Sequence, residues 1–169
     1  MLDIINKLKP FFEDCYRRIN VREYSRTMKI SPPTASILLL SLNKEGVLLK
    51  EKERNYIFYY ANKNNKLFRE LSQIYWGIRL DALNKKLKNM LVNPTIILFG
   101  SLSKAETKRE SDIDICIIGH KKEINLIDFE NTLKRKIQLF FFNSLREIKN
   151  KELANNIING HLLEGRLKL

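Results

Sequence analysis

The chain has 169 residues, of which 44% are hydrophobic, and its 6 glycines and 4 prolines are too few for a fibrous or disordered protein. It can therefore form one domain or two small ones. The formal net charge of +12 is unevenly spread, because residues 1–90 hold 18 of the 31 Lys and Arg but 9 of the 19 Asp and Glu. This excess predicts a polyanionic partner for the N-terminal half, with a lysine-rich solvated surface as the alternative.

The sequence shows no sign of a membrane segment or an oxidising compartment. Its first residues lack the apolar core of a signal peptide, and no apolar run approaches the roughly 20 residues needed to span a bilayer. Cys15 and Cys116 lie far apart without metal-type spacing, and His120 and His161 are isolated. We therefore expect a cytoplasmic protein with no zinc site and no membrane partner.

Three helices are predicted at the start of the chain. Apolar residues at helical spacing predict the first over residues 2–19. Asn20 is a side-chain cap for a second helix, Val21–Met28, and a Ser-Pro pair begins a third over residues 31–45. Gly46 follows the third helix, and its position predicts the left-handed conformation that ends many helices.

A hairpin follows, with strands over residues 47–52 and Tyr56–Ala61 around a polar turn. Helices followed by a hairpin are the order of a winged helix-turn-helix, and residues 21–62 resemble that family in sequence as well. The resemblance implies that the third helix enters the major groove of DNA and that cations of the hairpin reach phosphates. The DNA-binding residues that it implies are Pro33, Thr34, Ser36, Lys50, Lys52 and Arg54.

Two residues of the third helix depart from that pattern. Ile37 and Leu40 stand where such helices usually carry polar or basic residues that face DNA. Apolar side chains can contact thymine methyl groups but cannot make the bidentate contacts that identify guanine or adenine. The alternative is a winged helix that serves as a protein-contact module, covered by another subunit or by the second domain.

A long helix is predicted over residues 64–90, because two lines of apolar residues run along it. One line comprises Trp76, Leu80, Leu83, Leu87 and Met90, and the other comprises Leu67, Leu71, Ile74 and Ile78. A helix with so broad an apolar face packs on another surface, either within the chain or in a homodimer. Asn93 and Pro94 end the element.

A phosphate site is predicted at the next turn. Thr95–Phe99 is an apolar, largely β-branched run that stops at a glycine, which indicates a buried strand. Gly100 and Ser101 then turn the chain, and a turn of this kind ahead of a helix offers backbone N–H groups to a phosphate. We therefore expect a phosphate to bind here, with a helix following.

Two aspartates open the next predicted strand, Ile113–Ile118. Asp112 precedes it and Asp114 lies within it. Because strand side chains alternate, residues two apart share a face, so the two carboxylates project together. Carboxylates this close in an apolar setting repel unless a cation neutralises them, and hard oxygen ligands suit Mg²⁺. A phosphate turn with metal carboxylates predicts a nucleotidyl-transfer site.

The phosphate turn and the aspartate pair together resemble the signature of the DNA polymerase β-like nucleotidyltransferase superfamily, and most closely its small, minimal members. The resemblance implies a mixed sheet flanked by helices. It implies that Gly100 and Ser101 hold the β- and γ-phosphates of a nucleoside triphosphate, with ATP expected. It also implies that Asp112 and Asp114 are the catalytic and metal-binding residues, with Mg²⁺ or Mn²⁺ as cofactor, and that Ser111 orients their turn.

The chain departs from that superfamily at two positions. Ala105 stands where the family usually has a glycine. The family's third carboxylate is expected on the strand predicted over residues 136–142, where the matching residue is Gln138. Glutamine cannot act as a general base, whose assistance is worth ~10²–10⁴-fold in rate, so turnover is expected to be low. Glu106 or Glu110 could substitute, although a solvated residue is the simpler interpretation of each.

The remaining elements complete a predicted α+β fold. A helix is expected over residues 124–133, one or two helices over residues 144–159, and an apolar tail that packs back over residues 161–169. The three phenylalanines at 140–142 are consecutive, so they point to both faces of their strand. This predicts that both faces are covered and that the three are core residues.

The predicted organisation is a winged helix-turn-helix domain at residues 1–62, a connecting or dimerising helix at 63–93, and a nucleotidyltransferase-like domain at 94–169. The first hypothesis is a magnesium-dependent nucleotidyltransferase that transfers a nucleoside monophosphate to an unknown acceptor, with DNA bound by its winged helix. The resemblance adds a partner toxin, because related minimal nucleotidyltransferases act as antitoxins. The second hypothesis is a DNA-binding transcriptional regulator whose degenerate transferase domain is a nucleotide sensor or scaffold.

Overall fold

The computed structural model describes residues 2–167, with the side chain of Leu2 excepted. Over this range the chain forms six α-helices and seven strands in two sheets, which is a mixed α+β fold. None of the described helices is long and apolar enough to cross a membrane. The chain divides into two compact units: the first extends to Tyr75 and includes Ala105–Arg109, and the second is the remainder.

The first unit follows the predicted order of elements, with one additional strand. Its elements are α1 (Leu2–Glu13), β1 (Ile19–Asn20), α2 (Val21–Met28), α3 (Pro32–Lys44), β2 (Leu48–Glu53) and β3 (Tyr56–Ala61). The three strands form an antiparallel sheet in the order β1-β3-β2. The predicted bounds of the second helix and of the second hairpin strand are confirmed residue for residue.

The first helix is shorter than predicted. It ends at Glu13, because the Asp14 carboxylate accepts a hydrogen bond from the Tyr16 backbone N–H (3.0 Å) and the chain turns there. Ile19, expected within the helix, instead joins the sheet as part of β1. A strand of two residues is too short for hydrophobic periodicity to reveal it.

The side-chain caps predicted for the next two helices are present. Asn20 accepts a hydrogen bond from the Glu23 N–H (3.0 Å), and Ser31 accepts one from the Thr34 N–H (3.3 Å). Gly46 follows the third helix with a φ of 75°, as predicted. Caps of this kind contribute about 1 kcal/mol each, which is why local sequence defines where α2 and α3 begin.

The core of the first unit contains a cluster of aromatic side chains. Phe12 packs against Phe68 and Tyr75, with ring centroids 5.2 and 5.3 Å apart. The Cys15 N–H donates to the carbonyl oxygen of Thr107 (2.7 Å). This hydrogen bond attaches the segment around Thr107 to the first unit, although that segment is distant in sequence.

Both cysteines are buried with free thiols. Burial raises the pKa of the Cys15 thiol to about 11 and that of the Cys116 thiol to about 12. Neither thiol is therefore ionised near neutral pH, and both side chains act as small apolar core residues.

The long helix, α4 (Lys66–Met90), has one buried and one largely exposed apolar line. The buried line comprises Trp76, Leu80, Leu83 and Leu87. In the second predicted line Leu71 is buried, but Leu67, Ile74 and Ile78 are exposed. The chain itself therefore covers one line and leaves most of the other open to solvent.

In the described part of the chain, the second unit holds a four-stranded mixed sheet in the order β6-β5-β4-β7. Its elements after α4 are β4 (Thr95–Phe99), β5 (Ile113–Ile118), α5 (Ile127–Leu133), β6 (Ile137–Phe142), a 3₁₀ helix (Leu145–Glu147), α6 (Lys151–Ile158) and β7 (His161–Glu164). β5 is antiparallel to β4 and parallel to β6. The predicted bounds of β4 and β5 are confirmed residue for residue.

The tail predicted to pack back after Gly160 forms β7, a strand that the sequence does not predict. It pairs antiparallel with β4, with His161 opposite Leu98. Gly160 allows this approach, because a Cβ at that residue would lie 2.6 Å from the Leu98 carbonyl oxygen. The last two residues of the predicted tail, 168 and 169, lie outside the described residues.

The phenylalanines of β6 are partly buried. Phe140 packs edge-on against Phe99, with ring centroids 5.3 Å apart, and Phe142 packs on the same cluster of apolar side chains. The prediction that they are core residues is confirmed for these two. Their packing fixes β6 beside β5, which sets the register of the candidate site.

Candidate functional site

The turn predicted to bind phosphate is tight. Gly100 has a φ of 73°, and a Cβ at this residue would overlap the carboxylate of Asp114. Glycine is therefore required, both for the backbone conformation and for the approach of the carboxylate. The turn and the carboxylate meet at one end of the sheet, because the register places Asp114 directly opposite Phe99.

The helix predicted after Ser101 is not found in the described structure, where residues 100–105 form turns. The Ser103 hydroxyl donates to the Gly100 carbonyl oxygen (2.9 Å), so a side chain competes for an acceptor that a first helical turn would use. A phosphate bound here would meet the N–H groups of a turn, and the expectation of a helix N-terminus is wrong.

Ala105, where the sequence resemblance leads us to expect glycine, has a backbone conformation that suits glycine. Ala105 is fully buried and has a φ of 55°. This left-handed conformation costs an L-amino acid roughly 1–2 kcal/mol, whereas glycine adopts it freely. The departure from the family pattern is therefore tolerated, with some backbone strain.

Replacing Ala105 by glycine is expected to change the free energy of unfolding by less than about 1 kcal/mol. Relief of strain should stabilise the variant by ~1–2 kcal/mol. Loss of the buried methyl group costs ~0.8 kcal/mol, and the greater backbone entropy of glycine in the unfolded chain costs a further ~0.5–1 kcal/mol. Ala35, equally buried within α3, is the matched control, and Ala35→Gly should cost about 2 kcal/mol. Urea denaturation measures both values, and equal losses would contradict the strain at Ala105.

The two aspartates lie at the start of β5. Asp112 precedes the strand, and Asp114 is its second residue, half-buried between β4 and β6. Burial raises the pKa of Asp114, and the negative charge of Asp112 raises it further. A divalent cation ligated by both carboxylates would offset both effects, so this donor set fits Mg²⁺ or Mn²⁺.

Gln138 stands beside both aspartates. It lies opposite Asp114 in the β5-β6 register, and its side-chain amide donates to Asp112 Oδ2 (2.7 Å). Glu106 and Glu110 are exposed. Among the described residues, no group of three or more His, Cys, Asp or Glu side chains could hold a metal ion. The site therefore offers two carboxylates and an amide.

Lys104 is not among the predicted site residues, although it lies in the same turn as Ser101. Its ammonium group donates to Asn156 Oδ1 of α6 (2.6 Å), and the side chain is exposed. A cation at this position can balance the charge of phosphates held by the turn. The available sequence signal was a single lysine within an otherwise uncharged turn.

The candidate DNA-binding residues lie on the surface of the first unit. Pro33 and Thr34 are exposed in the first turn of α3, and Ser36, two residues after Thr34, is half-buried. The exposed cations of the hairpin are Lys50, Lys52 and Arg54. Ile37, 69% exposed, lies on the same helix, so an apolar surface accompanies these polar residues.

The two faces of the hairpin differ in charge. Arg18 donates to the carboxylates of Glu51 (2.6 Å) and Glu53 (2.8 Å). These glutamates alternate with Lys50 and Lys52 along β2, so the lysines point to the opposite face. Arg18 thus offsets part of the negative charge on the acidic face, and the two lysines project from the other face.

Residues 82–166, half of the chain, match the family model described as Polymerase beta, Nucleotidyltransferase. The matched segment contains the turn at Gly100, both aspartates and Gln138. Neither the comparison with curated proteins nor the comparison with solved structures found a match. Nucleotidyltransferase domains generally use a nucleoside triphosphate and a divalent metal. The chain belongs to the polymerase beta nucleotidyltransferase family.

Proposed function

We propose that the protein is a magnesium- or manganese-dependent nucleotidyltransferase that transfers a nucleoside monophosphate from a nucleoside triphosphate, expected to be ATP, to an unknown acceptor. The observation that carries this proposal is the close approach of Gly100 to Asp114 within the matched segment. It brings the turn that we propose to bind phosphate next to the carboxylate that we propose to bind metal, and nucleotidyl transfer needs both in one place.

The turn residues bind the triphosphate in this proposal. Backbone N–H groups at Gly100 and Ser101, with the Ser101 hydroxyl, donate to phosphate oxygens. The Lys104 ammonium balances part of the phosphate charge, and its hydrogen bond to Asn156 keeps it beside the turn. These contacts orient the triphosphate with its α-phosphoryl group toward the aspartates.

Asp112 and Asp114 would hold the divalent cation in this proposal, and a cation bound there would supply positive charge that stabilises the phosphoryl group during transfer. Gln138 orients Asp112 through its hydrogen bond but has no basic atom to take up a proton. The acceptor hydroxyl oxygen bonds to the α-phosphorus as the bond from that phosphorus to the bridging oxygen of the β-phosphate breaks, and pyrophosphate leaves. With no base at residue 138, the hydroxyl proton passes to water or to a phosphate oxygen, and slow turnover follows.

A second candidate function is nucleotide sensing by a DNA-binding transcriptional regulator. It is favoured by Gln138, which replaces an acid with a hydrogen-bond donor, and by the strained Ala105. In this case the turn and the aspartates bind nucleotide and metal without transfer. The two candidates therefore differ in turnover and agree in binding.

Transfer and binding are measured separately to distinguish them. Purified protein is incubated with each α-³²P-labelled nucleoside triphosphate, Mg²⁺ or Mn²⁺, and acceptors of three classes: DNA, RNA and protein. Equilibrium dialysis with the same nucleotides measures binding. Labelled acceptor supports the transferase, and metal-dependent binding without labelling supports the sensor. Absence of both would contradict either assignment.

The first unit is proposed to be a winged helix-turn-helix that binds DNA through α3 and the hairpin. Support comes from the exposed first turn of α3 and from the exposed lysines on one hairpin face, while Arg18 offsets part of the negative charge on the opposite face. The alternative is a protein-contact module, which the exposed Ile37 and Leu40 favour. The exposed line of α4 at Leu67 and Ile74 would suit a homodimer, and a toxin remains a proposed partner.

A salt titration is expected to reveal phosphate contacts by the hairpin. Each phosphate neutralised contributes ~0.9 to the slope of log affinity against log salt, so Lys50→Ala with Lys52→Ala should lower the slope by about 1.8. Lys85→Ala is the control, because Lys85 pairs with Asp81 on α4. Fluorescence anisotropy with a labelled DNA duplex measures the slopes. Absence of DNA binding at low salt would contradict the DNA-binding role and favour the protein-contact module.

A further inference from the structure

Arg135 is a buried charged residue of the second unit, near the aspartate pair. It lies between α5 and β6 and is 7% exposed. Burial of a guanidinium group is unfavourable unless hydrogen bonds and favourable neighbours compensate for the lost water. Its contacts therefore indicate what the residue does.

Arg135 connects α4 to the residue that precedes Asp112. Its Nη1 donates to the carbonyl oxygen of Ser111 (2.7 Å). The guanidinium carbon lies 5.2 Å from the ring centroid of Trp76, which is fully buried in α4. A cation at this distance over an indole ring is held by the negative face of the ring. The guanidinium is thus fixed on one side and holds the aspartate turn on the other.

Two neighbours of Arg135 complete the attachment of Asp112. The Ile113 N–H donates to the carbonyl oxygen of Lys136 (2.8 Å), and the Gln138 amide donates to the Asp112 carboxylate (2.7 Å). Residues 135–138, which lead into β6, therefore contact the backbone before Asp112, the backbone after it, and its side chain. The Arg135 contact holds the backbone at Ser111, which lies ahead of the start of β5.

We propose that Arg135 is a positioning residue that holds Asp112 in the orientation in which both aspartates ligate one divalent cation. The inference rests on the proposed function, which assigns the cation to Asp112 and Asp114. Arg135 acts through the Ser111 backbone and is not itself assigned as a ligand of the phosphates or the cation. Residues that orient metal ligands typically change metal affinity 10–100-fold when they are replaced.

Mn²⁺ affinity, measured on the full chain by electron paramagnetic resonance, tests this role independently of turnover. Arg135→Met is expected to weaken Mn²⁺ binding by about 10–100-fold. Arg135→Lys keeps the charge but loses the planar fork, so a smaller loss of affinity is expected. Arg146→Met removes an exposed arginine of the same unit and is the matched control, with wild-type affinity expected.

Thermal melting monitored by circular dichroism separates positioning from folding. A folded Arg135→Met protein with wild-type Mn²⁺ affinity would overturn the proposal while leaving the aspartates assigned. If Arg135→Met does not fold, Arg135→Lys decides, and unchanged affinity in that variant overturns the proposal. If Asp112→Asn binds Mn²⁺ as tightly as the wild type, the proposed function fails and this inference fails with it.

Discussion

Replacement of both aspartates, Asp112→Asn with Asp114→Asn, is expected to abolish metal-dependent nucleotide transfer. Asparagine keeps the size of each side chain but removes the charge that holds a divalent cation. Such a cation supplies several kcal/mol of transition-state stabilisation, so transfer should fall by about three orders of magnitude or more. The measurement is the initial rate of incorporation from α-³²P-labelled nucleoside triphosphates.

The folding of the double variant can be checked through its stability. Without metal, the variant should be more stable than the wild type. The pKa of Asp114 is raised in the fold, so its ionisation is less favourable there than in the unfolded chain. The stability that this group contributes is complete below its unfolded pKa and is lost as the pH rises through its folded pKa. In EDTA, the melting temperature of the variant should therefore exceed that of the wild type by more at pH 7 than at pH 4. Nucleotide transfer by a folded double variant would contradict the assignment of the two aspartates to the site.

Replacement of Gln138 by aspartate is expected to accelerate nucleotide transfer. The register places residue 138 directly opposite Asp114, so a carboxylate there would join the two existing ones. It can accept the proton of the acceptor hydroxyl, which glutamine cannot, and such assistance is worth ~10²–10⁴-fold. Initial rates at saturating nucleotide compare Gln138→Asp with the wild type.

Gln138→Asn is the matched control, because asparagine has the shape of aspartate without its charge, and no gain is expected. Gln138→Asp should also melt at a lower temperature without metal, since a third carboxylate adds repulsion and the hydrogen bond to Asp112 is lost. Mn²⁺ should restore part of that stability. Equal rates for the aspartate and asparagine variants would contradict a base at residue 138 and favour the nucleotide sensor.

The elements that carry the candidate site were predictable because their signals are local. Thr95–Phe99 and Ile113–Ile118 are apolar runs bounded by a glycine and an aspartate, and such runs give strands without reference to the rest of the chain. The alternation within a strand also predicts that Asp112 and Asp114 share a face. Helix caps are equally local, which explains the correct start of α2.

The features that were missed depend on distant partners or on single competing side chains. β1 and β7 exist because β3 and β4 offer them an open edge, and four or fewer residues show no usable period. The helix expected after Ser101 is replaced by turns because the Ser103 hydroxyl takes a backbone acceptor. The burial of Arg135 could not be predicted either, because a Lys-Arg-Lys stretch is usually a solvated surface.

The buried thiols make the chain suited to site-directed spectroscopy. With a pKa of about 11, fewer than roughly one Cys15 thiol in a thousand is ionised at pH 7.5, and Cys116 is ionised still less. Maleimide reagents attack the thiolate, so they should leave both native cysteines unmodified in the folded protein. A cysteine introduced at the exposed Asn55, in the hairpin turn and outside the proposed DNA-contact residues, would then carry a single fluorophore, which can report DNA at the hairpin without removal of either native residue.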